Sequence, residues 1–100
     1  MDEENAIEIL KQRGEQWGDP LETHARIAKA WSAIFNHDVT SHQVALAMMV
    51  TKAVRSAISP GEWDNYPDMK NYAEIAEMHY FPEKTNYQLL QQLLAEKDNV

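Results

Sequence analysis

Residues 44–58 read VALAMMVTKAVRSAI. Apolar side chains fall almost all the way round a helix drawn through this stretch, which predicts a central helix covered on most of its sides. Thr40 and Gln43, placed three apart just before it, form a capping box that fixes its start. Lys52 and Arg55 interrupt the apolar run three residues apart, so they share a face. A helix this apolar does not bury two cations without partners. The fold and the candidate site both follow from asking what covers this helix and what meets its cations.

Upstream, Asp19-Pro20-Leu21-Glu22 supplies an N-cap, a proline at the first helical position and an acid three residues after the cap. Leu21, Ile27, Ala28, Trp31, Ile34 and Phe35 then recur at helical spacing, and Asn36-His37-Asp38 ends the segment. A first helix is expected over roughly 3–12. Ala6, Ile7, Ile9 and Leu10 form its apolar side, and Gly14 can take the left-handed position that closes it. Downstream, Pro60 and Gly61 lead into a helix over roughly 65–80. Pro67 is tolerated in its first turn. Met69, Tyr72, Ala73, Ala76 and Tyr80 form its buried stripe, while Lys70, Glu74 and Glu77 face water. Phe81-Pro82 breaks the chain. Thr85 opens a last helix to about Lys97, whose Leu89, Leu90, Leu93 and Leu94 make a narrow seam. That seam docks on the same domain or, alternatively, on a second copy or a partner. Few stretches alternate with period two, so no strand is expected. The sequence predicts an all-α fold, a single small bundle of four to five helices forming one domain over residues 1–100.

Composition bounds the function. The chain has 100 residues, 44% of them hydrophobic, enough for a core in one domain. It has no cysteine, which excludes a disulfide framework and a thiolate metal site. No apolar run approaches the roughly 20 residues that span a bilayer, and the N-terminus is acidic where a secretion signal would be basic. A cytoplasmic protein without membrane contact is expected. Sixteen acids against nine Lys and Arg give a net charge of −7. Such a chain is repelled by nucleic-acid phosphates but can attract a basic protein surface. Moderate negative charge also simply keeps a small protein soluble.

Asp64, Asn65, Asp68 and Tyr72 recur at helical spacing where the fourth helix begins. Asn65 as N-cap with Asp68 three residues on accounts for those two by capping, and acids there suit the positive helix end. Capping leaves Lys52 and Arg55 unexplained. The short loop between the third and fourth helices makes them neighbours, so Asp64 and Asp68 are the expected partners of Arg55 and Lys52, with Glu22 as a third acid. The constellation Glu22, Lys52, Arg55, Asp64, Asn65, Asp68 and Tyr72 is either an ion network that sets helix register or a pocket for a phosphate or a metal-bound nucleotide. His24, His37, His42 and His79 show no metal-ligand spacing. Glycine-rich phosphate loops, nucleophile elbows and His-Glu-x-x-His are absent, and no catalytic residue is assigned. Trp31 belongs to the core. Trp17 and Trp63, beside Gly and Pro, are expected to cover the bundle ends or to stack on a partner.

WGDPLETHARIAKAWSAIF (17–35), VTSHQVALAMMVTKAVRSA (39–57) and DNYPDMKNYAEIA (64–76) together resemble a family of short, mostly phage- and prophage-encoded proteins. The resemblance covers roughly residues 13–77. It implies family polar positions at Asp19, Glu22, Lys52, Arg55, Asp64, Asn65, Asp68 and Tyr72, with Trp17 where a tyrosine is usual and Asn71 where a glycine is common. The pattern is also similar to all-α nucleotide pyrophosphohydrolases of the MazG type, which hold magnesium with acids from several helices. This chain lacks their doubled Glu-Glu-x-x-Glu cluster.

Two functional expectations follow. The first is a binding protein of a phage or mobile element with no catalysis of its own. Working in the host cytoplasm, it would occupy a basic nucleic-acid-binding surface on a host protein or protein–RNA complex, as an anti-defence, anti-CRISPR-like inhibitor. Its partner-facing acids would be Glu15, Glu62, Glu74, Glu77 and Glu83, and it would need no cofactor. The alternative is a MazG-like, magnesium-dependent nucleotide pyrophosphohydrolase or a nucleotide-binding protein, its metal held by Glu22, Asp64 and Asp68.

Overall fold

The structure is a computed structural model that describes residues 3–98, with side chains placed for 8, 9 and 11–96. Five α-helices follow one another: α1 (Glu3–Trp17), α2 (Pro20–Phe35), α3 (Ser41–Ile58), α4 (Asn65–Met78) and α5 (Tyr87–Asp98), with a 3-10 turn at Pro82–Lys84 before the last. No strand occurs among the described residues. The protein is an all-α bundle.

The cap of α3 forms in full as its sequence predicts and that of α2 in part, because Glu22 pairs with Arg26 instead of turning back to the Asp19 amide. The Asp19 carboxylate accepts from the Leu21 amide at 2.9 Å with Pro20 at the first helical position. Asn36 closes α2 in the left-handed region, at φ 52°. In α3, the Gln43 amide donates to Thr40 Oγ1 at 3.1 Å and the Thr40 amide donates to Gln43 Oε1 at 3.0 Å. The start of α4 differs. Asp64, not Asn65, occupies the cap position, and its carboxylate makes no capping bond. The preceding turn already curls in the helical sense. The Asn65 and Tyr66 amides therefore find the carbonyls of Glu62 and Trp63, at 3.3 and 3.1 Å, and need no side-chain cap.

The first helix runs one turn further than expected, through Gly14 to Trp17. Gly14 is not a terminator but a crossing point. It is buried, and a Cβ there would lie 2.7 Å from Cδ1 of Leu90 on α5. The left-handed position belongs to Gly18, at φ 75°. Ile9 is half-buried, while Ala6, Ile7 and Leu10 lie outside the residues whose side chains are described. The leucine seam of α5 docks on its own chain, with Leu90 buried and Leu89, Leu93 and Leu94 half-buried.

The most extensive helix contact is α3 on α4, followed by α2 on α3. Val44 and Ala45 of α3 are fully buried, and Ala45 packs with Ile75 and Ala76 of α4 and the half-buried Tyr72. The buried face of α4 is Asn65, Ile75, Ala76 and Met78, with Met69 and Tyr72 half-buried. Ala73 and Tyr80, expected in that stripe, are exposed. For Tyr80 the reason is the helix end: the amides of Tyr80 and Phe81 both turn back onto the Glu77 carbonyl and throw the ring outward.

One expectation fails in an informative way. The third helix is not covered on most sides. α2 and α4 pack on one side of it, while α1 and α5 pack on each other and reach the rest through α2 and the 3-10 turn. Leu46, Val50, Ala53, Val54, Ala57 and Ile58 are left in solvent. The last turn of α2 is likewise bare at Ile34 and Phe35, and Trp31 is half-buried.

Candidate functional site

The α3–α4 packing brings one pair of the constellation together. Lys52, near the middle of α3, faces the first turn of α4, and its Nζ lies 3.0 Å from Asp68 Oδ2. The lysine side chain is 16% exposed and the aspartate 36%. The pair sits on the wall of a cleft of about 590 Å³ enclosed by α1, α2, α3, α4 and the start of α5. Arg13 and Lys70 add two more cations to that wall, Glu74 a second acid, and Asn71 and Asn86 neutral donors and acceptors. Ile27, Met48, Ile75, Met78 and Leu90 supply the apolar floor. Tyr72 lines the cleft and is half-buried.

The other expected members stay outside. Arg55 is exposed and makes no ion pair with any described residue, so its predicted bridge to Asp64 or Asp68 does not form. Arg55 is exposed in the last turn of α3, where water solvates the guanidinium and no partner is required. Asp64 is exposed in the turn before α4. Glu22 points into solvent and pairs with Arg26 one turn on, at 3.0 Å. Asn65 is buried at the head of α4. Glu22, Asp64 and Asp68 therefore do not converge, and among the described residues no group of three or more His, Asp or Glu side chains could hold a metal ion. The residues present do not fit the magnesium site of the pyrophosphohydrolase alternative. Of the partner-facing acids, Glu15, Glu62, Glu77 and Glu83 are exposed, but Glu74 is half-buried on the cleft wall. Trp17 and Trp63 do not cover the bundle ends. They are 63% and 73% exposed, with Trp17 on the cleft rim.

Two residues that shape the site carried no functional assignment in the sequence. His24 is 5% exposed and lines the cleft. Its Nδ1 lies 2.8 Å from the Pro20 carbonyl. A carbonyl only accepts, so Nδ1 carries the proton and Nε2 is a bare acceptor, buried and without a partner. Burial pushes the His24 pKa below its ordinary value, against the opposing pull of the Pro20 carbonyl, and the charge of nearby His79 pushes it further down. The ring meets Tyr72 edge-on, centroids 6.0 Å apart. The available signal was position: His24 stands four residues before Ala28 on the apolar stripe of α2. Tyr87 is the second. Its hydroxyl donates to Asp19 Oδ2 at 2.8 Å and accepts from Gln91 Nε2 at 2.9 Å. One aspartate thus caps α2 with one oxygen and anchors α5 with the other. Desolvation, and then the Asp19 carboxylate, push the Tyr87 hydroxyl up to about 12. Sixty-eight residues separate the two partners, and no local pattern announces such a bond.

A family described as a domain of unknown function, DUF6378, matches residues 3–80. The chain belongs to the DUF6378 family. The match takes in α1 to α4 and with them both partners of the Lys52–Asp68 pair. The DUF6378 chain is also similar to the Gene 55 protein of Mycobacterium phage L5, 33% identical over 84 residues. That alignment covers 82% of this chain and 54% of the phage protein, so the chain spans about half the length of its curated relative. No solved structure matches. The phage-type resemblance read from the sequence stands; neither match carries the likeness to MazG-type pyrophosphohydrolases. No helix among the described residues is long and apolar enough to cross a membrane.

Proposed function

We propose that this DUF6378 protein acts by binding a host protein in the host cytoplasm, presenting carboxylates to a basic surface built to hold nucleic acid, as an anti-defence inhibitor of the anti-CRISPR kind would. The observation that carries the reading is the distribution of its acids. A chain of net charge −7 leaves Glu15, Glu62, Glu77, Glu83 and Asp64 in water on several different elements instead of gathering them into a metal or catalytic cluster. Dispersed surface charge of one sign accelerates encounter with an oppositely charged partner. The phage relative adds a setting in which host proteins are the targets at hand. The test is capture of host lysate on the immobilised protein, followed by challenge with excess RNA or DNA. Displacement of the captured complex by nucleic acid, and its loss in Glu62→Lys/Glu77→Lys, support the reading. A complex that withstands both treatments refutes it.

A second reading rests on the cleft. Lys52, Arg13 and Lys70 beside an apolar floor suit a nucleotide-like anion of modest size. Its magnesium-dependent form through Glu22, Asp64 and Asp68 has no geometric support, so binding without hydrolysis is the form retained. Nucleoside triphosphates at a hundred times their dissociation constant would stabilise the fold by about 2.7 kcal/mol. A thermal-shift panel that shows no stabilisation with or without magnesium dismisses this reading.

A further inference from the structure

The bare side of α3 has an ordered pattern. Leu46, Val50, Ala53 and Ala57 follow at spacings of four, three and four, the seam of a helix that packs along another helix. Val54 and Ile58 flank the seam, at 54% and 78% exposure. Gln43 and Thr51 are the polar residues of this arc, and no charge lies on it. In a chain that is 25% charged, this is the face where a second molecule meets neither like charge nor a desolvation cost for ions.

We propose that a second copy of this chain occupies the face, α3 packing antiparallel on α3 about a two-fold axis that passes between Thr51 and Lys52. In that register Leu46 of one copy meets Ala57 of the other, and Val50 meets Ala53. Each large side chain faces a small one, and the same register does so on both sides of the axis, as an isologous interface requires. The alanines let the helix axes approach to the short end of the usual 8–10 Å. Size supports the same occupant. The chain exposes 7187 Å², where a monomer of its mass exposes about 5,800 Å². Its radius of gyration is 14.6 Å, against about 13 Å for a domain of this length. The surplus exceeds the roughly 800 Å² that each partner of a standard interface buries. The interface differs from the alternative raised for the α5 leucine seam, whose Leu90 and Leu94 pack inside the chain at Gly14.

Sedimentation velocity on the full chain gives the first test. The expected species has twice the 11.5 kDa chain mass at micromolar concentration. Val50→Glu and Ala53→Glu each return it to one chain mass, with helical content by circular dichroism unchanged because both positions are exposed. The register is tested separately, using the absence of native cysteine. Copies carrying Leu46→Cys and copies carrying Ala57→Cys, mixed and oxidised, form the crossed disulfide, because facing positions come within the Cα spacing a disulfide needs. Leu46→Cys alone does not, since its two copies lie about 16 Å apart along the antiparallel pair. A wild type that sediments as one chain at 100 µM overturns the proposal and assigns the face to a different protein. Dimers that survive both glutamate variants, or self-crosslinking of Leu46→Cys, overturn the interface or its direction.

Discussion

Removing either end of the Lys52–Asp68 pair should cost unequal amounts, because the two ends are unequally buried. At 3.0 Å and an effective dielectric constant of about 20, the attraction is roughly 5.5 kcal/mol. Desolvation of two partly buried ions takes back several kcal/mol each, so the pair as a whole contributes little. Lys52→Met/Asp68→Leu is therefore expected within about 1 kcal/mol of wild type. The single variants differ. Asp68→Asn strands a cation that is only 16% exposed, at a cost of about 2–3 kcal/mol, just below the range for fully buried pairs. Lys52→Met leaves a carboxylate that is 36% exposed. Water can rehydrate it, and the loss should stay at about 1 kcal/mol. Urea unfolding at pH 7, followed by circular dichroism, gives all four corners of the cycle. For a domain of this length the Asp68→Asn loss corresponds to roughly 8–24 °C in Tm. The reasoning fails if Lys52→Met is the costlier variant, or if the double variant equals the sum of the singles.

Three further outcomes follow from the same geometry. His24 has a folded pKa below its unfolded value, so the unfolded state binds the extra proton; stability should fall as pH drops below about 6.5, and His24→Asn should flatten that slope in paired unfolding curves at pH 7.5 and 5.5. Tyr87 is raised to about 12, so its contribution is present below pH 10 and lost on the way to 12; Tyr87→Phe should cost about 1–3 kcal/mol at pH 7 and remove the part of the alkaline loss that is due to this hydroxyl. Gly14→Ala should be nearly neutral, since a helix-propensity gain of about 1 kcal/mol offsets displacement of one Leu90 methyl, whereas Gly14→Val should cost more than about 2 kcal/mol by overpacking against α5, as thermal melts of the two variants would show.

How much of this was legible depends on whether the responsible interaction is local. Asp19-Pro20 and Thr40 with Gln43 fixed the starts of two helices, because a cap is satisfied within four residues. Lys52 with Asp68 was legible because a short loop constrains which faces of two consecutive helices meet. Arg55 was misjudged on the premise that α3 is buried all round. A sequence shows that a face is apolar, not that the same chain covers it. Gly14 illustrates the same limit: both a helix end and a helix crossing call for a missing side chain, and Leu90, which decides between them, is 76 positions away. His24 and Tyr87 are buried polar groups whose burial follows from packing at long range, and helical spacing gave only the face of the first.

The family match ends at residue 80, but the cleft does not. α2, α3 and α4, with Lys52 and Asp68, lie within the matched residues. Asn86 and Leu90, which close one wall, lie beyond them. Tyr87 on Asp19 and Leu90 on Gly14 hold that wall in place, and both anchor points sit at or beside the junction of α1 and α2. The cleft is therefore a composite: a paired charge supplied by the family domain and a wall segment tied to the junction of α1 and α2. A chain that kept α1 to α4 but continued differently would retain the ion pair while changing the size and polarity of the space in front of it. The opposite side of α3 needs none of this. Its exposed seam lies wholly within the matched residues, so association through α3 and occupancy of the cleft are physically separable properties of one helix, read on its two faces.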